Sequence, residues 1–120
     1  MNKETVRRAV SHWIESSDKD FKTMNNLFRS RDYAWSLFIG HLVIEKLLMA
    51  LYMKEHSKHP PFTHNLLKLA EGVNFEWSED QKLLFDLITT FNISARYDSE
   101  KQVFRRKCTK SFTEQQLVQI

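Results

Sequence analysis

Three ionisable residues interrupt an otherwise apolar run between Tyr33 and Tyr52: His41, Glu45 and Lys46. Leu, Met, Ala and Lys favour helix, and the run is too long for an ordinary buried strand. His41 and Glu45 stand four positions apart, so a helix places them on one face. A buried carboxylate costs several kcal/mol unless it is paired. The chain therefore has to give Glu45 a partner or use it at an interface.

The partner we predict for Glu45 is Arg96, in a turn that follows the fourth predicted helix. The planar guanidinium of arginine suits a carboxylate or a phosphate group. The predicted cluster lies at a cleft or a dimer seam, and its members are His41, Glu45, Lys46, Asn92, Arg96 and Tyr97. The alternative is a purely structural hydrogen-bonded pair, His41 with Glu45, in the core of a bundle.

Positive charge is concentrated late in the chain. The whole protein has a net charge of +3, and the segment from Arg96 to Lys110 alone carries +4, which leaves −1 for the remainder. A concentrated basic patch attracts phosphates. The predicted phosphate or nucleic-acid patch consists of Lys101, Arg105, Arg106, Lys107 and Lys110. The alternative is an ordinary solvated helix face.

Other chemistries have little support in the sequence. His56, His59 and His64 form the obvious histidine cluster, but no cysteine or carboxylate pair at ligand spacing completes a zinc site. His64 is instead expected to buttress a short helix. Cys108 follows basic residues that would favour a thiolate, yet no histidine is tied to it by spacing. No glycine-rich phosphate loop is present. We therefore predict no catalytic residue, no metal and no cofactor.

The elements that position these residues are helices. Apolar spacing of three and four predicts a first helix over Lys3–Phe28, and a short link with Asp32 as N-cap makes it antiparallel to the Tyr33–Tyr52 helix. Breaks are predicted at Pro60-Pro61 and at a turn over Asn92–Asp98. A third helix is predicted over His64–Glu71 with Thr63 as its cap, and a fourth from a Ser78/Gln81 capping box to Phe91. Two more are predicted, one from a Ser99/Gln102 capping box and one from about Ser111 to Ile120. The predicted core consists of Trp13, Phe21, Phe38, Val43, Leu47, Leu51, Leu84, Leu87 and Phe91.

Composition sets the broad class. With 120 residues, two Gly and two Pro, the chain is expected to form one all-α domain, an antiparallel four- to five-helix up-and-down bundle over residues 1–120. The single Cys108 fits a reducing compartment, and the N-terminus lacks the apolar core of an export signal. Because the Tyr33–Tyr52 run contains charged residues, we interpret it as a core helix and not as a membrane span. A cytoplasmic location follows.

The same residues resemble the HEPN domain family, the "higher eukaryotes and prokaryotes nucleotide-binding" domain, in its small stand-alone bacterial and archaeal form. The similarity extends in order over nearly the whole chain, and one departure is Asp98, which stands where the family commonly has proline after Arg-Tyr. The matching pieces are Trp13-Ile14 with Asp18 and Asp20-Phe21, Arg31-Asp32-Tyr33-Ala34, His41 to Leu47 with Ala50-Leu51, Pro60-Pro61 with Thr63 to Leu66, and Phe91 to Tyr97 continuing through Lys101, Phe104 and Cys108-Thr109-Lys110.

The resemblance implies a helical bundle that is often a homodimer. It also implies a minimal nucleotidyltransferase as partner in a toxin–antitoxin-like pair. Many members are metal-independent RNases that use an arginine followed a few residues later by a histidine. Arg7 and His12 have that spacing, with four residues between them, but they lie on the first helix, whereas the family motif lies late in the bundle. No histidine follows Arg96.

We therefore expect a non-catalytic binding subunit that recognises a nucleotide, nucleic-acid phosphate or the nucleotidyltransferase through the His/Glu/Arg cluster. Two alternatives stay open. One is a metal-independent endoribonuclease with a degenerate Arg…His motif, and the other is a purely structural homodimer.

Overall fold

The computed structural model describes residues 1–96 and 98–120, and within these ranges the side chains of residues 93, 95, 96 and 98–102 are not described. The described chain is helical and contains no strand, which confirms the predicted all-α class. The described residues form six helices, which is compatible with the predicted helical bundle, and the last two of them are separated by a break at Cys108 and Thr109. They are α1 (Lys3–Arg29), α2 (Tyr33–His56), α3 (Leu66–Glu71), α4 (Glu79–Arg96), α5 (Asp98–Lys107) and α6 (Lys110–Leu117).

Helices α1 and α2 form a long hairpin that is joined by polar bonds as well as by apolar packing. The Ser17 hydroxyl donates to the carbonyl of Val43, and the Ser36 hydroxyl donates to the carbonyl of Met24. These buried bonds fix how far the two helices slide along each other, because each serine reaches one carbonyl only. In α1, Ser17 and Met24 alone are fully buried. The rest of α1 is partly or wholly exposed, since α1 packs mainly against α2.

Helix α2 is the centre of the bundle and contacts each of the other five helices. Over its 24 residues it is apolar on all sides, so by length and composition it could cross a membrane. Half of its most apolar stretch is buried inside the protein, as expected for a core helix. It continues to His56, beyond the predicted end at Tyr52, and closes with Ser57 in the left-handed region (φ 55°). Pro60 fixes its own φ, lacks an N–H donor and disfavours helix at His59, but these restrictions lie beyond His56 and leave room for the extra turn.

Several helix boundaries differ from the predicted ones. Asp32 stands at the N-cap of α2, but its carboxylate accepts from the Ser30 hydroxyl and makes no cap bond. The cap of α3 is Asn65, whose side chain accepts from the amide of Lys68, so the prediction of Thr63 was wrong. The predicted turn over Asn92–Asp98 was also wrong, since α4 runs through Arg96.

The cause of the error at α4 is tertiary packing. Asn and Ser have modest helix propensity, and packing overrides such small preferences. Phe91 and Asn92 are both buried, so the end of α4 is held against the bundle. The Ser78/Gln81 capping box is confirmed by its two reciprocal bonds, whereas the predicted Ser99/Gln102 box lies among the side chains outside the description.

The core lies between α2, α3 and α4 and is extended by Phe104 and Cys108. Its most buried large side chains include Leu37, Leu66, Leu69, Ile88 and Phe91. Of the predicted core residues, Val43 and Phe91 are fully buried, and Trp13, Phe38, Leu84 and Leu87 are half-buried. Phe21, Leu47 and Leu51 are exposed, so these three assignments were wrong. The helices α3 to α6 cover other sides of α2 and leave the Leu47 and Leu51 side open.

The side chains of Ile120 and Met24 pack closely against α2 at Gly40. A Cβ at this position would lie 2.6 Å from Cδ1 of Ile120 and 3.2 Å from the sulfur of Met24. Glycine inside a helix costs about 1 kcal/mol relative to alanine, and an alanine at this position would require the end of the Ile120 side chain to move.

We predict that Gly40→Ala destabilises the protein, and that the same change becomes neutral or stabilising, by up to about 1 kcal/mol, once Ile120→Ala has removed the clash. Urea unfolding of the four proteins of this double-mutant cycle measures the coupling. Equal effects of Gly40→Ala in both backgrounds would show that Ile120 does not pack on Gly40.

Candidate functional site

Glu45 has a partner, and that partner is His64. The Nδ1 atom of His64 lies 2.6 Å from Oε1 of Glu45, whose side chain is only 9% exposed. A carboxylate accepts hydrogen bonds, so Nδ1 carries the proton. This leaves Nε2 of the half-exposed His64 ring free to accept a bond when the ring is neutral. The pair combines a buried acid with an imidazole that reaches solvent.

His41 supports this pair from inside the core. Its ring is fully buried, and its Nε2 donates to the main-chain carbonyl of His64 over 2.8 Å. Its Nδ1 is also buried and has no hydrogen-bond partner among the described residues. An unsatisfied buried acceptor costs about 1–3 kcal/mol. The fold bears this cost at His41, whose other ring nitrogen holds the main chain of His64 in place.

Burial also changes the acid–base behaviour of His41. Burial lowers the pKa of His41, while the bond to the His64 carbonyl and the negative charge of Glu45 act in the opposite direction. The nearby His64 ring lowers the pKa further. The direction follows from desolvation, which disfavours the charged imidazolium.

Sequence reasoning assigned a buttressing role to His64 and missed it as the partner of Glu45. Residues 57–65 separate α2 from α3, and a chain of this length spans at most about 3.3–3.6 Å per residue, or about 30 Å in all. This reach includes Glu45, about 17 Å before the end of α2, but it also includes most of the rest of α2. The loop length therefore permits the pairing with Glu45 without singling out His64.

The predicted contact between Glu45 and Arg96 lies outside the described residues. Tyr97 and the side chain of Arg96 lie outside the described residues. Asn92, the third member expected from that part of the chain, is buried on α4.

Lys46 points away from Glu45 and toward α1. Its ammonium lies 2.5 Å from Oδ2 of Asp20 and 2.7 Å from the Ser16 hydroxyl. Successive helix residues are turned by about 100°, which separates Lys46 from the Glu45 face. Lys46 thus joins α2 to α1, and the structure does not bring it together with His41 and Glu45.

The basic segment borders a cleft at the first turn of α2. The cleft has a volume of about 330 Å³ and is lined by Arg31, Asp32, Tyr33, Ala34, Trp35, Arg105 and Cys108. Arg105, Arg106, Lys107 and Lys110 are all exposed, and the ammonium of Lys107 lies 5.4 Å from the ring centre of Phe112. The side chain of Lys101 is outside the description. Four of the five predicted patch residues are therefore available on the surface.

Cys108 is not an activated nucleophile. Its side chain is buried, and burial raises the pKa of the thiol to about 11, with Lys107 acting only weakly in the other direction. A thiol with this pKa stays protonated near neutral pH. Cys108 packs in the core.

The remaining histidines make separate contacts. His56 bonds to the carbonyl of Gly72 and His59 to that of Pro60. Within the described part of the chain, no three His, Cys, Asp or Glu side chains converge as metal ligands do. His12 and Arg7 line one shallow depression on α1, and the Arg7 guanidinium is engaged by Glu4 at 2.7 Å.

We predict that acidification destabilises the protein through His41. Because the pKa of His41 is lowered by folding, the unfolded chain binds a proton first as the pH falls below about 6.5, and the folded state loses relative stability. The free energy of unfolding should fall by at most about 1.4 kcal/mol per pH unit in that range. Urea unfolding between about pH 7 and pH 5 measures it.

His41→Gln should flatten this pH dependence while keeping a donor for the His64 carbonyl. His12→Gln, which removes an exposed imidazole, is the matched control and should leave the slope unchanged. A slope that persists in His41→Gln would assign the effect to another group.

The comparisons with known proteins agree with this architecture. The HEPN domain model matches residues 10–117, which is most of the 120-residue chain. Neither the curated proteins nor the solved structures give a significant match. The match spans both the hairpin that carries Glu45 and the segments that carry His64 and the basic patch. The chain belongs to the HEPN domain family, a nucleotide-binding and RNase-type module.

Proposed function

We propose that the protein is a non-catalytic binding subunit that recognises the phosphates of single-stranded RNA or of a nucleotide. The observation that carries the proposal is the cleft at the start of α2, which both Arg31 and Arg105 line. Arginine binds phosphate through two parallel hydrogen bonds, and exposed basic neighbours raise the local concentration of anions. Asp32 also lines the cleft and opposes this attraction, so the cleft itself holds two arginines against one carboxylate. Arg106 and Lys110, in the same basic segment as Arg105, are exposed.

We predict that Arg31→Ala with Arg105→Ala weakens binding of a short single-stranded RNA and makes it less dependent on salt. Each lost phosphate contact lowers the slope of log K against log salt by about 0.7 for single strands, hence by about 1.4 for the pair. Fluorescence anisotropy over a salt series measures both quantities.

The matched control is Lys22→Ala with Lys68→Ala, which removes the same charge from exposed positions on α1 and α3. A slope that falls equally in both double variants would mean that only net charge matters. Cleavage of the RNA without added metal would favour the endoribonuclease alternative. A wild-type protein that binds neither RNA nor nucleotide would favour the structural alternative.

We also propose that the protein forms a homodimer through the open side of the α1–α2 hairpin, here called the hairpin face. Ile14, Phe21, Leu47 and Leu51 are between 38% and 46% exposed on it. A groove of about 330 Å³ runs between the helices and is lined by Val10, Ile14, Leu47, Ala50, Leu51 and Lys54. Two such hairpins packed together would form a four-helix bundle.

The charges of α1 support a second copy as the occupant. Residues 3–8 carry a net charge of +2, and residues 15–20 carry −2. The midpoint between these segments falls at Ser11 and His12, and the groove residues Val10 and Ile14 lie on either side of it. A two-fold axis at this point would place the basic turns of one copy against the acidic turns of the other.

We predict that Leu51→Lys converts the dimer to a monomer, because a charge would be buried without a partner. Leu83→Lys, at a 66% exposed leucine of α4, is the matched control and should leave the dimer intact. Arg7→Glu with Arg8→Glu should weaken the dimer, and adding Glu15→Lys with Asp18→Lys should restore it. Light scattering reports each mass.

We further propose that the protein partner is a minimal nucleotidyltransferase in a toxin–antitoxin-like pair, which rests on the family resemblance. We place this pair in the cytoplasm, because the single cysteine is a buried free thiol. A wild-type protein that is monomeric alone and changes mass only on mixing with such an enzyme would assign the hairpin face to that enzyme.

A further inference from the structure

We propose that the notch between α2 and residues 61–64 binds one base of a single-stranded RNA and prefers bases that carry an amino group. This base notch is lined by Glu45, Met49, Pro61, Phe62, Thr63 and His64, and its volume is about 210 Å³. Pockets for drug-sized ligands occupy roughly 300–1,000 Å³, so the notch suits a single flat ring system. The inference rests on the proposed function in one respect, because it takes the base to belong to an RNA strand.

Phe62 supplies the face on which a base would stack. Its side chain is 95% exposed, so packing within the protein does not explain an apolar ring at this position. The ring stacks on that of His59, with centroids 4.6 Å apart and planes inclined by 28°. This support orders the exposed ring before a ligand arrives. Stacking of bases on such rings is a general mode of binding single strands.

Glu45 and His64 supply the hydrogen-bonding edge. One bond from His64 does not exhaust the acceptor capacity of the Glu45 carboxylate, which offers about four lone-pair sites. A neutral His64 adds a further acceptor at Nε2. An edge made of acceptors favours ligands that donate N–H bonds. Adenine, cytosine and guanine each donate through an exocyclic amino group, whereas uracil has no amino group and its single N3–H donor lies between two carbonyl oxygens, which the acceptors repel.

The backbone around His64 is fixed on both sides. The carbonyl of His64 accepts from the buried His41, and the amide of Leu66 donates to the hydroxyl of Thr89 on α4. Asn65 between them caps α3. The hydrogen-bonding edge is therefore held in place without a ligand, which lowers the entropic cost of binding.

The base notch and the phosphate cleft lie along the same helix. Trp35 lines the cleft and Glu45 lines the notch, and ten helical residues span about 15 Å. A short single strand is long enough to reach both sites. The cleft would bind the phosphates of a strand of any sequence, and the notch would add a preference for certain bases.

The test compares oligo(C), oligo(A), oligo(U) and an abasic strand of equal length, by anisotropy, on four proteins. Wild type should bind oligo(C) and oligo(A) more tightly than oligo(U), and the abasic strand least. Phe62→Ala should lose about five- to 150-fold in affinity for base-bearing strands and nothing for the abasic strand. Phe75→Ala, at another exposed phenylalanine (59%), should match wild type.

Glu45→Gln should bind oligo(C) and oligo(U) equally, because an amide both donates and accepts hydrogen bonds. Since Glu45 is buried, Phe62→Ala keeps the proposal testable if Glu45→Gln fails to fold. Equal affinity of wild type for base-bearing and abasic strands would overturn the inference and leave the phosphate proposal standing. So would a Phe62→Ala protein that equals wild type.

If wild type binds no RNA at all, the phosphate proposal fails, and the notch is tested alone with free nucleosides. Cytidine should then shift the NMR signals of Phe62 and His64 at a lower concentration than uridine does. NMR signals of Phe62 and His64 that do not change on adding cytidine, or that change instead on adding an arginine-containing peptide, would overturn the inference.

Discussion

A helix that is apolar on every side has to be covered on every side, and the whole protein is arranged around this constraint on α2. Each of the other five helices contacts it. Where coverage is missing, at Leu47 and Leu51, the surface is apolar and grooved. An exposed apolar strip of this kind marks an interaction surface more often than it marks a defect.

The same constraint applies to the polar groups that α2 carries. Inside the bundle these groups bond to neighbouring segments of the chain: Ser36 and Lys46 to α1, and Glu45 to His64 before α3. These bonds are directional, so they specify how the neighbours are placed in a way that apolar contacts cannot. His41 is the exception, since one of its nitrogens is left without a partner among the described residues. His41 stands beside the Glu45–His64 pair, which combines a buried acid with an imidazole that reaches solvent. A buried polar group without a partner calls for an explanation, and a functional role is one such explanation.

Much of the local structure was predictable because its causes are local. The helix α1, the Ser78/Gln81 capping box and the break near Pro60 follow from nearest neighbours along the chain. The errors share a different cause. Phe21 and Leu51 look like core residues, and their exposure depends on which helices lie beside them. We predicted a turn from Asn92, but this segment is part of helix α4 because Phe91 and Asn92 are packed against the rest of the bundle.

The sequence by itself determined that this chain is a helical HEPN domain with a carboxylate in its central helix and a basic segment near its end. It also required that the carboxylate be paired, because the cost of an unpaired buried charge does not depend on the fold. Only the tertiary structure decided that the partner is His64, that Lys46 turns to Asp20 and that one side of the hairpin stays open. The physical reason is the symmetry of α2. The sequence of a helix with one apolar face predicts which side faces the core. The sequence of a helix that is apolar on all sides does not, so its orientation is set by how its neighbours pack against it.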